Sequence, residues 1–313
     1  MVIAHRGARA FAPENTLEAI EKAARLGADM VELDVQLTAD DQIIVVHDDT
    51  LERCSNARDL FPGRCNQFVR SFALEEVQRL DAGSWFVSEL GKDPEQRQPF
   101  LRSLSQQEAQ QFVSGEEFAR YESGQVRHPT LREALDRAMQ LGLRVNVELK
   151  YPSRTIHTHT LSAVQRVLVE RTVRLIEERG LCDQVLVSSF DHESLRMVKA
   201  IQPAIKTGVL TAQPLPDPVA YCRDAMSAAA YHPGFSESYD AIGFDSDEFK
   251  SNGHLPAEPI RSLRNAGIAV NVWTANDRVQ MKALMEAGVS GIFTDFPNRL
   301  VELLKVDTGG RND

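Results

Sequence analysis

The feature that most constrains this chain is a rhythm: short β-rich runs alternate with helical stretches along most of its length. Candidate strands are Val2–Ala4, Met30–Val35, Val145–Leu149, Val185–Ser189, Lys206–Leu210, Ala241–Phe244, Ala269–Trp273 and Gly291–Thr294. Each holds several apolar residues between turn signals, as strands covered on both faces require. Helical patterns fall between most of them, at Thr16–Leu26, Leu131–Leu141, His159–Arg179, Glu193–Ile201, Ala257–Ala266, Asp277–Glu286 and Asn298–Leu304. Strand–helix alternation of this kind gives a parallel sheet, and eight repeats predict closure into an α/β (β/α)8 TIM barrel. An open doubly wound sheet would use the same alternation, but no G-x-G-x-x-G follows the first strand.

The rhythm breaks after the short run Ile43–Val46. From about 51 to 128 the chain has scattered charges, two prolines before Phe100, and helical patches near Leu74–Leu80 and Gln106–Tyr121. This stretch reads as an insertion after the second strand, carried on one barrel domain spanning 1–304. Gln213–Tyr239 is a second irregular stretch, expected to precede the sixth strand. Residues 305–313 read as a flexible tail.

Composition narrows the partners. A formal net charge of −10 argues against a nucleic-acid surface, because phosphate-backbone affinity comes from Lys and Arg. It offers nothing to an anionic membrane either. No run approaches the ~20 apolar residues of a membrane span, so stable membrane insertion is not expected. The start, MVIAHRGARAF, lacks the features of a signal peptide, and a cytoplasmic location is the expectation. The four cysteines form no C-x-x-C pair and read as free thiols, although Cys54 and Cys65 could bridge one loop. The oligomeric state is not legible.

The strongest local signal for chemistry is Glu32-Leu33-Asp34. On a strand, residues i and i+2 share a face, so these carboxylates project together while Val31, Leu33 and Val35 point the other way. Asn146-Val147-Glu148-Leu149-Lys150 repeats the alternation and can bring Glu148 to the same cavity. Clustered like charges are costly without a cation. Three carboxylates without Cys make a hard oxygen site, suited to one divalent ion, Mg²⁺, Ca²⁺ or Mn²⁺. Solvated strand-end charges are the plainer alternative, which three acids at this spacing disfavour.

His5 closes the first strand, and His47, followed by Asp48, closes Ile43–Val46. A lone strand-end histidine is usually structural. A pair suits phosphodiester cleavage, which needs one group to activate a nucleophile and another to protonate the leaving oxygen. Arg6 and Lys150 supply positive charge for phosphoryl oxygens, and Gly7 lets backbone approach closely.

His5-Arg6-Gly7, Pro13-Glu14-Asn15-Thr16, Glu32-x-Asp34, His47-Asp48 and Glu148-x-Lys150 together resemble, in order and spacing, the glycerophosphodiester phosphodiesterase family. Later blocks also look like the family's: Asp81–Phe86, Pro129–Leu131, Ser188–Phe190, Asn271–Asn276 and Gly291–Asp295. The resemblance covers nearly everything from Val2 to Leu304. It implies metal-dependent hydrolysis of small glycerophosphodiesters to sn-glycerol 3-phosphate and an alcohol. In it His5 and His47 are the acid–base pair, Glu32, Asp34 and Glu148 bind metal, and Arg6 and Lys150 contact phosphate. Glu14 would orient a catalytic group, His5 first among them, and Trp273 would line the substrate pocket. The segment from Trp85 to His128 is longer than the compact bacterial pattern, which leaves leaving-group selection open.

The nearest rival is a lysophospholipase D or sphingomyelinase-D-like enzyme acting on lipid phosphodiesters. It predicts an apolar groove, for which Phe100, Phe112, Phe118 and Tyr121 are candidates. A catalytically silent phosphodiester sensor is a rival of another class, disfavoured by retention of both histidines and all three acids.

Overall fold

The computed structural model describes residues 1–150, 158–236, 239–240 and 257–309. In chain order the strands are β1 (Val2–Ala4), β2 (Met30–Leu37), β3 (Ile43–Val45), β4 (Arg144–Leu149), β5 (Val185–Ser189), β6 (Lys206–Thr211), β7 (Ala230–Pro233), β8 (Phe235–Ser236), β9 (Tyr239–Asp240), β10 (Ala269–Val272) and β11 (Gly291–Thr294). Eight of them, β1, β2, β4, β5, β6, β7, β10 and β11, pair in parallel, and β1 closes the ring by bonding to both β11 and β2. The fold is a (β/α)8 barrel.

Sequence logic is visible in each layer. On β2 and β4, Val31, Leu33, Val35, Val145, Val147 and Leu149 join the large apolar cluster beneath the helices. Their alternating neighbours, Glu32, Asp34, Asn146 and Glu148, therefore face the barrel axis. The helices carry the signals that start them. Thr16, Thr130, Asp191 and Asp277 cap the helices Leu17–Arg25, Leu131–Gln140, His192–Ile201 and Arg278–Glu286 with side-chain acceptors.

The sixth barrel strand differs from expectation. It is β7, inside the stretch expected to be irregular, and the candidate Ala241–Phe244 lies outside the described residues. Ala230-Tyr231-His232-Pro233 is poor in β-branched residues and holds a proline, so it carries little strand signal of its own. Parallel pairing with β6 and β10 makes it a strand. The last helix, Pro297–Gly309, also runs into the segment expected to be a tail.

The insertion begins at β3, which pairs antiparallel with β2 outside the barrel ring. Its first half packs around Ile44, Val46, Leu51, Val69, Phe72 and Leu80. The helical patch over Gln106–Tyr121 divides into Gln106–Phe112 and Gly115–Glu122, because Ser105/Glu108 and Ser114/Glu117 each form a capping box. The second half shares a core with the barrel through Phe11, Ala12, Phe296, Phe86 and Tyr121. The four aromatics considered for a lipid groove do not build one. Phe112 packs on Phe11 at 5.2 Å, Tyr121 on Phe86 at 5.8 Å, and Phe100 lies under the Arg9 guanidinium. Only Phe118 of the four is exposed. All four cysteines are free thiols.

Candidate active site

The site lies at the carboxyl ends of the barrel strands, where loops of this fold carry chemistry. The β2–β4 register sets Asp34 beside Glu148 and Glu32 beside Asn146. Glu32, Asp34 and Glu148 each offer an oxygen within 4.8 Å of the others. Their environments differ. Glu32 is buried, its Oε2 accepts the Arg6 backbone N–H at 2.8 Å, and its Oε1 has no partner among the described residues. Burial and the neighbouring Asp34 and Glu148 raise its pKa well above the carboxylate range. Burial pushes Asp34 the same way, but His47, Arg6 and Lys150 hold it below its ordinary value. Asn15 donates to Asp34 at 2.9 Å, and Lys150 Nζ lies 2.8 Å from Glu148 and 3.5 Å from Asp34. Burial would lower the Lys150 pKa; Glu148 and Asp34 raise it instead.

This donor set fits a divalent cation. Arg6 and Lys150 neutralise part of the cluster, yet among the described residues one buried carboxylate oxygen, Glu32 Oε1, remains without a donor. An all-oxygen set is the kind hard cations take.

The turn after β1 delivers His5 and Arg6 together. Arg6 has φ 55° and Gly7 φ 81°, left-handed values that are uncommon for a side-chain-bearing residue. A Cβ on Gly7 would sit 2.5 Å from the Ala19 Cβ, so the turn presses on the first helix at a distance only glycine allows.

Each histidine has an aspartate on Nδ1. His5 Nδ1 lies 2.8 Å from Asp295, just past β11, and its Nε2 lies 4.0 Å from Glu32. Burial and the nearby Arg9 lower the His5 pKa to about 4. A carboxylate only accepts, so Nδ1 carries the proton and Nε2 is left free. His47 Nδ1 pairs with Asp48 at 2.7 Å. Its turn is held by Gln36 Nε2, which donates to the backbone oxygens of Val46, His47 and Asp48.

Glu14 does not touch His5, contrary to expectation. It binds Arg6, Arg9 and Arg53 at 2.9, 3.5 and 2.7 Å. Asp295 takes the place beside His5. Trp273, at the end of β10, donates Nε1 to the His232 carbonyl at 2.8 Å and meets the half-exposed Phe190 edge-on at 5.4 Å. Asn15 and Asp295 stand in blocks that the sequence reading quoted without giving them a role, and Arg9 and Arg53 were not singled out. Asp295 had one available signal, an acid directly after a barrel strand; the two arginines had none.

Comparison with known proteins shows the family. The model of the "Glycerophosphoryl diester phosphodiesterase family" matches residues 5–299. A glycerophosphodiester phosphodiesterase of Caldanaerobacter subterraneus subsp. tengcongensis is 31% identical, with 97% of this chain and 98% of that protein covered. One from Bacillus subtilis is 30% identical over 95% of this chain and 84% of its own length. A solved structure of an Oleispira antarctica phosphodiesterase in complex with the product sn-glycerol-3-phosphate superposes with a TM-score of 0.70 at 25% identity, covering 97% of this chain and 96% of that one. Among the described residues no helix is long and apolar enough to cross a membrane. The chain belongs to the glycerophosphoryl diester phosphodiesterase family, whose members are phosphoric diester hydrolases.

Proposed function

We propose that this chain hydrolyses soluble glycerophosphodiesters to sn-glycerol 3-phosphate and a free alcohol, using His5 and His47 as its acid–base pair. The observation that carries the reading is the juxtaposition of a three-carboxylate cluster with two histidines, each held by an aspartate at Nδ1. Glu32, Asp34 and Glu148 would hold a divalent ion, Mg²⁺, Ca²⁺ or Mn²⁺, which when bound supplies Lewis-acid stabilisation of phosphoryl charge. Arg6 and Lys150 add fixed positive charge beside the same cluster. His5, on the carboxylate side, takes the proton of the attacking hydroxyl, from water or from the substrate's own glycerol. His47, nearer the rim, gives a proton to the departing alcohol oxygen. Residues 1–304 work as one catalytic domain, with the insertion forming part of the barrel mouth. The shared Phe11–Phe112 core supports that reading. Trp273, with Phe190 edge-on against it, would line the substrate pocket.

A turnover screen tests this directly. Purified protein, loaded with each ion in turn, is assayed on glycerophosphocholine, glycerophosphoethanolamine and a lysophospholipid. Release of sn-glycerol 3-phosphate from the first two is expected. Turnover of the lysophospholipid alone would transfer the activity to lipid substrates.

A further inference from the structure

Glu14, Arg9 and Arg53 are not accounted for by metal, phosphate or proton transfer, yet they are buried or half-buried at the centre of the site. Glu14 is 2% exposed and meets three guanidinium groups. Two of these continue outward to the histidine partners. Arg9 donates through Nε and Nη2 to both oxygens of Asp295, which holds His5. Arg53 donates through Nε and Nη2 to Asp48, which holds His47, while its Nη1 and Nη2 reach Glu14 at 3.1 and 2.7 Å. The result is a continuous chain, His5–Asp295–Arg9–Glu14–Arg53–Asp48–His47. Charges alternate along it, and every carboxylate is met by a planar fork that fixes orientation as well as charge.

The insertion closes on this chain at two points. The Gln98 side-chain Oε1 accepts from Arg53 Nη1 at 3.0 Å, and the Phe100 ring lies 4.1 Å from the Arg9 guanidinium carbon. Gln98 is itself anchored, its backbone N–H donating to Glu89 at 2.8 Å. One short segment thus contacts both arms.

We propose that Glu14 is a positioning residue shared by the two histidines, and that the Gln98–Phe100 segment of the insertion locks both arms through Arg53 and Arg9. The proposal rests on the reading of His5 and His47 as the acid–base pair. It differs from a purely structural role for Glu14 in one respect. Loss of the Glu14 charge must alter two imidazoles that lie on different loops and share no direct contact with it.

The test uses the full chain labelled with ¹⁵N-histidine. Imidazole nitrogen signals are recorded by long-range ¹H–¹⁵N correlation and assigned with His5→Ala and His47→Ala. Glu14→Gln is expected to move the signals of both histidines. Gln98→Ala should move those of His47, and Phe100→Leu those of His5. The double variant Gln98→Ala/Phe100→Leu, on half-buried positions with leucine keeping an apolar side chain against the shared core, should lower kcat by about tenfold with KM within twofold, since small misplacement of reacting groups is costly. Signals of only one histidine responding to Glu14→Gln in folded protein would overturn the shared role. Unchanged kcat in the double variant would overturn the lock, and that variant serves alone if Glu14→Gln does not fold. Failure of the acid–base reading shows separately, as turnover surviving His5→Ala or His47→Ala, because the spectra require no turnover.

Discussion

The two histidine arms are built alike on different scaffolds, each imidazole paired with an aspartate at Nδ1. His5 stands at the end of a barrel strand, and its partner Asp295 follows the neighbouring strand β11, fully buried and fixed further by Asn276 at 2.6 Å. His47 stands two residues past β3, outside the closed ring, with side-chain exposures of 30% for itself and 28% for Asp48. One arm is welded into the barrel; the other hangs on its rim and leans on the insertion. In the proposed reaction the alcohol leaves at the rim and the attacking hydroxyl is handled in the interior. The division suits a reaction that keeps glycerol phosphate at the centre and releases a variable group at the edge.

The largest expected effect is common to both arms. Chelation followed by dialysis should reduce turnover to background, and adding back a divalent ion should restore it, because the carboxylate cluster serves either histidine. Undiminished turnover in excess chelator would remove the ion from the mechanism and leave the three acids without a role.

Next come the histidines. His5→Ala and His47→Ala should each cost on the order of 10²–10⁴-fold in kcat. A substrate with an activated leaving group, such as a p-nitrophenyl phosphodiester, needs no acid. It should therefore recover most of the loss in His47→Ala and little in His5→Ala. Recovery in His5→Ala instead would exchange the two roles and reverse the comparison of interior and rim.

The third effect concerns stability and has the opposite sign from most core substitutions. Burial and its acidic neighbours raise the Glu32 pKa. A carboxyl with a raised folded pKa contributes stability below its unfolded value and loses it as pH climbs through the folded one. At neutral pH without metal, Glu32 is therefore a liability. Glu32→Gln should raise the melting temperature of metal-free protein by about 2–4 °C for each kcal/mol relieved. It should also abolish the further rise that a divalent ion gives to wild type. A drop in melting temperature without metal would show that the unpartnered oxygen is satisfied in solution.

What the sequence disclosed follows the same division. The barrel and the strand-borne groups are governed by period-two alternation, so Glu32 and Asp34 could be set on one face and Glu148 brought to them from the adjacent barrel strand. His5 and Arg6 were legible for the same reason, as residues closing a strand. The connections among side chains were not. Asp295 and His5 are 290 positions apart, and Arg53 meets Glu14 across 39; neither separation leaves a periodic trace. Glu14 was expected to orient a catalytic group, His5 first, and it pairs with Arg6, Arg9 and Arg53, because loop residues take their partners from tertiary packing. β7 was missed where local propensity opposed the pairing that imposes the strand.

The smallest effect probes how firmly the rim is held. Arg299, on the last helix, donates to both carboxylate oxygens of Glu108 at 2.7 Å and to the Ser103 carbonyl at 2.7 Å. This clamp pins the insertion to the barrel beside β11 without touching either histidine. Its hydrogen bonds with Arg299 lower the Glu108 pKa to about 2. A depressed folded pKa means that the contribution is present above the ordinary carboxylate value and fades as pH falls toward about 2. Glu108→Gln should therefore cost roughly 1–3 kcal/mol near neutral pH, the scale of a hydrogen bond to a charged group, and the gap to wild type should close on acidification from pH 5 downward. If the insertion shapes the exit for the alcohol, the same variant should change the ratio of kcat/KM between glycerophosphocholine and a glycerophosphodiester with a bulkier alcohol by a few-fold, with metal dependence intact. A uniform fall on both substrates would mean that the clamp only stabilises, and that leaving-group choice resides in the barrel loops themselves.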